Sequence, residues 1–432
     1  MTGFRCSCFV LLAAFGLVAG CARGELQPDA PGLLPPALLV APVVVEEGKS
    51  AAHRPDVSAL GTFEELQQRR PSHPLETATR ELSAEETQSL AAANSQLANL
   101  TELERQAVAQ AAGNFKKAAR LAGLQQKLLC LRAVHERNQS ASQALQAYYK
   151  LAEVRGNGPA LESSLAQLGR MQDDLRKVKE QGLKVTADLT ALARQQLELQ
   201  DQQQQLDLGD AQLSEQLRGL IGLSPGEPTR MLPQANLTLT AETIDVDVAV
   251  SIGLQTRADL AALRLLLSEL ETQTLPAARR SLSQSDPALG VPAPTLGALH
   301  KFLKGDSDSC ELEIRRAQLT ELLDTREQQV ASEIRLAVRE IETRLKQSAI
   351  AAQTQASWQQ RIGDLKALRE VGSATPLEIQ QAQFELAAAE SALLKQVIAV
   401  RLAEVKLKEA QGLLAAESGY DAGTCLAGLC CP

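Results

Sequence analysis

Residues 370–414 read EVGSATPLEIQQAQFELAAAESALLKQVIAVRLAEVKLKEAQGLL, and their pattern decides the fold. Gly372 suits the left-handed position that closes a preceding helix. Thr375 is a capping residue, Pro376 fits the first helical position, and Glu378 stands three residues after the cap, the spacing of a capping box. Beyond that start, Ile379, Leu386, Leu393, Val400, Leu407 and Leu414 recur every seven residues. Ala382, Ala389, Ala403 and Ala410 recur at the same period, with Gln396 in the remaining place. Large residues on one seam position and small ones on the other let a neighbouring helix come close. The segment Pro376–Leu414 predicts a rod of roughly 58 Å at about 1.5 Å per residue, too long for an ordinary globular domain.

The stretch has a partner 190 residues upstream. Glu180, Gly182, Asp188 and Leu189 match Glu370, Gly372, Glu378 and Ile379; further on, Leu217 matches Leu407, and Gly222-Leu223 matches Gly412-Leu413. Both copies keep 40 residues between their two glycines. The upstream copy carries its own seam of Leu192, Leu199, Leu206, Leu213 and Leu220, which map mostly onto the small residues of the downstream copy. A weaker match joins Asn94-Ser95-Gln96-Leu97-Ala98 to Arg257-Ala258-Asp259-Leu260-Ala261. Heptads alone occur in any coiled coil, but a fixed glycine-to-glycine distance points to a duplicated unit of long helical hairpins.

Composition excludes several functions. The chain has 44 Lys+Arg against 52 Asp+Glu, a net charge of −8, and no basic tract, so nucleic acid is not an expected partner. Aromatics make up only 3%, which argues against a thick globular core and against a fully aromatic-girdled membrane barrel. His53, His73, His135 and His300 are scattered without ligand spacing, so no metal is expected. Walker, nucleophile-elbow and zinc-protease motifs are absent from the sequence. Its carboxylates fall on charged helix faces, so no catalytic residues and no cofactor are expected.

The N-terminus reads as an export signal. Arg5 precedes a short apolar run, Phe9–Val18, which ends in Val18-Ala19-Gly20-Cys21, similar to a bacterial lipobox. By that similarity residues 1–20 are removed and Cys21 becomes the lipidated first residue; the alternative is a plain signal peptide cut nearby. Five cysteines then remain, Cys130, Cys310, Cys425, Cys430 and Cys431, enough for at most two disulfides within the chain. The tail Cys425-Leu-Ala-Gly-Leu-Cys430-Cys431 allows a local loop clip.

Taken in order, residues 21–81 form a lipidated, Pro-rich tether. The first helical repeat occupies 82–235, opening on a Ser83…Glu86 cap signal, with Gly156-Asn157-Gly158-Pro159 as its clearest break. The second repeat occupies 236–416. Leu232–Val250 alternates weakly, as a short strand or an irregular belt. Helix resumes near Asp245, and Glu311–Glu370 predicts a proline-free helix of roughly 90 Å. A Gly/Cys-rich tail, 417–432, completes the chain. The fold class is mainly α: long antiparallel helical hairpins in two repeats, with few or no strands.

The duplicated Gly-x₅-[Asp/Glu]-[Leu/Ile] turns, the Arg257-Ala258-Asp259-Leu260 opening of the second half and the lipobox resemble the outer-membrane efflux family, the TolC-like exit ducts of bacterial export systems, over about 82–415. The resemblance implies a homotrimer forming a hollow periplasmic tunnel, with four strands per protomer added to an outer-membrane barrel. It further implies that Gly182, Thr186, Asp188, Gly372, Thr375 and Glu378 lie at the periplasmic tip, where an inner-membrane transporter and its periplasmic adaptor dock. The chain departs from the family at the barrel. A spanning hairpin needs two alternating strands of about 9–11 residues plus a loop. Residues 113–155 read as helix throughout. Residues 281–310 have room, and Asp286-Pro287-Ala288-Leu289-Gly290-Val291 resembles the family's strand entry, but Pro292 and Pro294 interrupt the strand it would open. The expectation is an outer-membrane lipoprotein that is a passive efflux conduit with reduced barrel segments. The alternative is a periplasmic coiled-coil lipoprotein acting as a scaffold or spacer without channel activity.

Overall fold

A computed structural model describes residues 79–112, 119–181, 189–223, 230–239, 243–290 and 307–427. Within them the long-period segments are helices, and the only strands among the described residues are two of four residues each. Strand β1 (Thr79–Leu82) pairs in parallel with β2 (Arg230–Pro233), with Thr79 opposite Arg230. This pair begins inside the span read as tether, because its partner lies so far along the chain that no local alternation signals it.

Ser83 caps α1 (Ala84–Ala93), its side chain accepting from the Glu86 amide. α2 (Gln96–Ala112) and α3 (Ala119–Glu180) come next, then α4 (Leu189–Leu220). The second repeat has α5 (Val246–Thr256), α6 (Ala258–Ser268), α7 (Leu275–Ser285), α8 (Ser307–Glu370) and α9 (Pro376–Gln411), and the tail adds α10 (Leu413–Glu417) and α11 (Ala422–Leu426). The long helices form a single layer. α2 and α4 both pack on α3, α3 packs on α6 and α9, and α9 packs on α8. α2 with α4 therefore make one edge of the layer and α8 the other.

Burial tracks the heptads. Along α9, Ile379, Val400 and Leu407 are buried, as are Ala382, Ala389 and Ala403 of the small-residue seam, with helices on both sides. Three sequence readings are corrected. The helix ends at Gln411 rather than Leu414, because Gly412 takes φ +76° and starts the short α10. The predicted break at Gly156-Asn157-Gly158-Pro159 does not occur: α3 runs through it for 62 residues. The reason is packing against α9. A Cβ on Gly156 would sit 2.5 Å from Leu394 Cδ2, and Asn157 Oδ1 accepts from Ser391 Oγ at 2.7 Å. Close approach and this bond offset the roughly 3 kcal/mol cost of an interior proline. Finally, the described part of the resembled strand entry, Asp286–Gly290, is a turn and not a strand, while Val291 onward lies outside the described residues. α7 runs on to Ser285, and the segment then turns back, with Leu289 against the core and Gly290, at φ +73°, pressed on the Arg279 carbonyl.

The two repeat signals read from the sequence meet in space. Gly222 and Gly412 both have φ +76°, and each lies against the residue matched at the other end of its repeat, Asn94 and Arg257 respectively. Asn94 Nδ2 donates to Ile221 O at 2.8 Å, and an Arg257 guanidinium nitrogen donates to Ala410 O at 3.1 Å. At both junctions a long helix (α4 or α9) ends beside the start of a shorter one (α2 or α6), so each repeat builds one rod from two stacked pieces.

A disulfide joins Cys130 of α3 to Cys425 of α11 across 295 residues. Both sulfurs sit in a buried cluster with Leu131, Leu265 and Leu319. The local clip allowed by the spacing is thus replaced, for Cys425, by a bond to the first repeat. Cys310 is a free, exposed thiol, and Cys430 and Cys431 lie outside the described residues.

Candidate functional site

The turn between α8 and α9 is built as its residues require. Ser373 N–H donates to Leu368 O at 2.8 Å and Gly372 N–H to Arg369 O at 3.0 Å, the paired bonds of a Schellman end, with Gly372 at φ +73°. A few residues on, the capping box closes. Thr375 Oγ1 accepts from the Glu378 amide at 3.3 Å, while Glu378 Oε2 accepts from the Thr375 amide at 2.8 Å. The Thr375 hydroxyl also donates to Glu378 Oε2 at 2.9 Å. These bonds, the backbone one first, hold the Glu378 carboxyl below the usual carboxylate range. Beneath the turn, Ile362, Leu365, Ile379 and Ala382 form a small buried cluster flanked by Trp358. Val371 stands out at the apex, 73% exposed. Gly372, Thr375 and Glu378 therefore share one hydrogen-bonded, solvent-facing turn.

Gly182, Thr186 and Asp188 lie outside the described residues, as does Cys21. Their flanks are described: α3 ends at Glu180 and α4 begins at Leu189. Just inside these ends, Leu168, Met171 and Leu192 pack with Leu377 and Phe384 of α9. The two hairpins thus meet near the same end of the layer.

Farther up, where α9 ends, a charged node crosses the layer. Arg257, with a side chain 8% exposed, grips Asp259 through two bonds of 2.9 and 2.8 Å and reaches Glu333 at 2.9 Å. Arg326 binds the same Asp259 at 3.0 Å. Burial alone would raise the Asp259 pKa, but the Arg257 hydrogen bonds and charge, with Arg326, override it and hold the carboxyl far below its usual range. A cavity of about 420 Å³ opens beside the node, with Lys406 and Glu340 paired across its wall. Each of these cations is matched by an anion, and the node joins α6, α8 and α9; Glu409, which also lines the cavity, accepts from Ser142 Oγ. Among the described residues, no group of three or more His, Cys, Asp or Glu could hold a metal ion. None of the described helices is long and apolar enough to cross a membrane.

Sequence reasoning places Arg257 and Asp259 in the repeat and in the opening that carries the family resemblance, and assigns them no ion-pair role. It missed Arg155, which ties α3 to Asp210 of α4 and to the Met231 carbonyl of β2. No local pattern marks a side chain whose partners come from two distant segments.

No family model matches the sequence, and no curated protein does. Solved structures match the fold. The outer membrane channel CmeC of Campylobacter jejuni superposes with a TM-score of 0.59 at 12% identity, over 76% of this chain and 85% of that one. The open-state outer membrane channel MtrE of Neisseria gonorrhoeae gives 0.55 at 11%, over 76% and 88%. The outer membrane protein VceC of Vibrio cholerae gives 0.52 at 17%, over 69% and 75%. At such identities the likeness establishes the architecture: this chain has the mainly α, TolC-like fold of outer-membrane efflux channels.

Proposed function

We propose that the protein is the duct component of an outer-membrane efflux system: a homotrimeric, passive conduit through the periplasm. In this reading it is held at the outer membrane by lipid on Cys21 and coupled to an inner-membrane transporter and a periplasmic adaptor. Its working parts are the two repeats, 82–235 and 236–416. The observation that carries the reading is where apolar surface remains exposed. Of the thirteen large hydrophobic side chains exposed among the described residues, nine belong to the helices that form the two edges of the layer, one of them, Leu336, lining the cavity beside the charged node. Leu97, Leu100, Leu103, Leu197 and Leu208 are on the α2/α4 edge, and Ile314, Leu336, Ile350 and Leu368 are on α8. Unlike edges of this kind suit head-to-tail contacts, which close into a ring when the rotation allows. A ring of such layers encloses a passage.

The tip residues Gly372, Thr375 and Glu378, with Gly182, Thr186 and Asp188, are the adaptor-facing set in this reading. Val371 supplies the apolar knob such a contact needs.

Light scattering on the purified protein should give three times the protomer mass. Leu100→Lys with Ile350→Lys, one on each edge helix, should shift it to a single protomer of unchanged helicity. In cells, deletion should sensitise the strain to exported solutes, and the double variant should fail to restore resistance. A wild-type protein that is monomeric at all concentrations, together with normal export in the deletion strain, would favour the scaffold alternative.

A further inference from the structure

If this chain followed the TolC-like resemblance to its end, each repeat would send two strands into an outer-membrane barrel and bring them back. α2 and α3 are the helices between which the first pair would depart. Only residues 113–118 separate them. At about 3.4 Å per residue, six residues reach roughly 20 Å in total, or about 10 Å out and back. The hydrocarbon core is about 30 Å thick, and each tilted strand across it takes about 9–11 residues. The first repeat therefore supplies no spanning hairpin, whatever its conformation.

In the second repeat, the described chain is still against the core at Gly290, and α8 begins at Ser307. The sixteen residues between, 291–306, fall short of two strands and a turn. Pro292 and Pro294 also remove two ladder donors. Even one hairpin here would give a trimer six strands. Barrels of about eight strands already have interiors filled by side chains, so six would enclose no passage.

Meanwhile the helix ends at this side of the layer are tied to one another. Arg279 of α7 clasps Glu311 of α8 at 2.8 and 2.6 Å, and Arg315 joins the same carboxylate at 3.2 Å. Arg120 and Lys127 of α3 pair with Glu271 and Glu269, in the turn after α6, at 2.7 and 3.3 Å. The Cys130–Cys425 disulfide lies in the same cluster. These links finish the end of a helical body.

From these lengths and links we infer that the protein abuts the outer membrane without crossing it. Its attachment is the lipid on Cys21, and any passage through the bilayer is formed by a different polypeptide. This rests on the duct reading for the direction of the layer, and on chain length for the rest.

The test is fractionation of a variant in which residues 1–21 are replaced by a cleavable signal peptide without a lipobox, so that the exported chain carries neither the lipid nor the apolar run Phe9–Val18. The variant should be lost from the membrane pellet and recovered in the soluble fraction as a monodisperse oligomer without detergent. Retention in the outer membrane, extractable only with detergent, overturns the inference. Because the variant can fail to accumulate, purified wild-type protein in planar bilayers gives an independent measurement. A flat current trace supports the inference, and stepwise conductance overturns it. Neither result depends on the export phenotype of the deletion strain, so the duct reading can fail while this one stands, and the reverse.

Discussion

The two hairpins share one repeat pattern yet are packed differently. In the second, α9 lies between α3 and α8 and buries nine residues of its 36. In the first, α4 has α3 on one side only and buries Leu192, Leu217 and Arg218 out of 32. Its heptad leucines Leu199, Leu206, Leu213 and Leu220 are half-buried. The difference lies in place within the layer, not in sequence quality: an interior helix commits its seam to two neighbours, while an edge helix keeps part of its apolar surface in reserve. Small residues on the interior helix permit the close double contact, and leucines on the edge helix suit a later one.

The contrast between interior and edge helices can be tested at several points, from large effects to small. Cys130→Ser removes the covalent tie between the first hairpin and the tail behind the second. For so long a loop, chain entropy predicts a loss of up to about 5 kcal/mol. Denaturant titrations with and without reductant should show the wild-type midpoint falling to that of the variant.

Next comes the crossing of α3 on α9. Gly156→Val places atoms where Leu394 already sits and should destabilise by about 1–3 kcal/mol. Gly158→Ala, two residues on, meets nothing within 4 Å and should stabilise by up to about 1 kcal/mol. Opposite signs at these neighbours, read as thermal midpoints, would confirm that the helix is continuous there for packing reasons. Equal signs would point to a break.

At the tip, Thr375→Ala should cost about 1 kcal/mol and act locally. Amide exchange should quicken in the first turn of α9 and stay unchanged in α3. Acid should imitate it. Because Glu378 is held below the usual carboxylate range in the folded turn, the cap's contribution is present above that range and is lost as pH falls through the depressed value. Exchange rates in that turn should therefore match those of the alanine variant at low pH and diverge from them near neutrality. Smallest of all, Leu208→Gln, at a side chain 59% exposed on the edge, should change protomer stability by less than about 0.5 kcal/mol. Its effect should appear instead in the concentration dependence of assembly.

Much of this architecture was legible because helical information is local. Seven-residue spacing, Ser83 with Glu86, Asp245, and Thr375 with Pro376 and Glu378 each act within a turn or two, and each helix starts where they direct. The glycine pairs were legible because duplication repeats them. What escaped was whatever depends on distant partners. Pro159 sits in a helix because Leu394 and Ser391 lie opposite. β1 exists because β2 comes back to it. Arg155 and the Cys130–Cys425 bond likewise have partners that no spacing rule connects. Of the candidate site, the capping box of the second turn was readable residue by residue, whereas Gly182, Thr186 and Asp188 of the first lie outside the described residues.

The long-range disulfide also sets an order of events. A chain made N-terminus first presents Cys130 early, and Cys310 is the next thiol to emerge, well ahead of Cys425. The native bond thus requires Cys130 to pass over the first thiol offered and wait for one 295 residues away. Oxidation faster than folding would trap the Cys130–Cys310 pair and leave Cys425 loose. Correct maturation is then a race in which helix packing must outrun the oxidant, or an isomerase must reopen the early bond. Because Cys425 lies beyond both repeats, the bond that closes last also reports that both hairpins are in place.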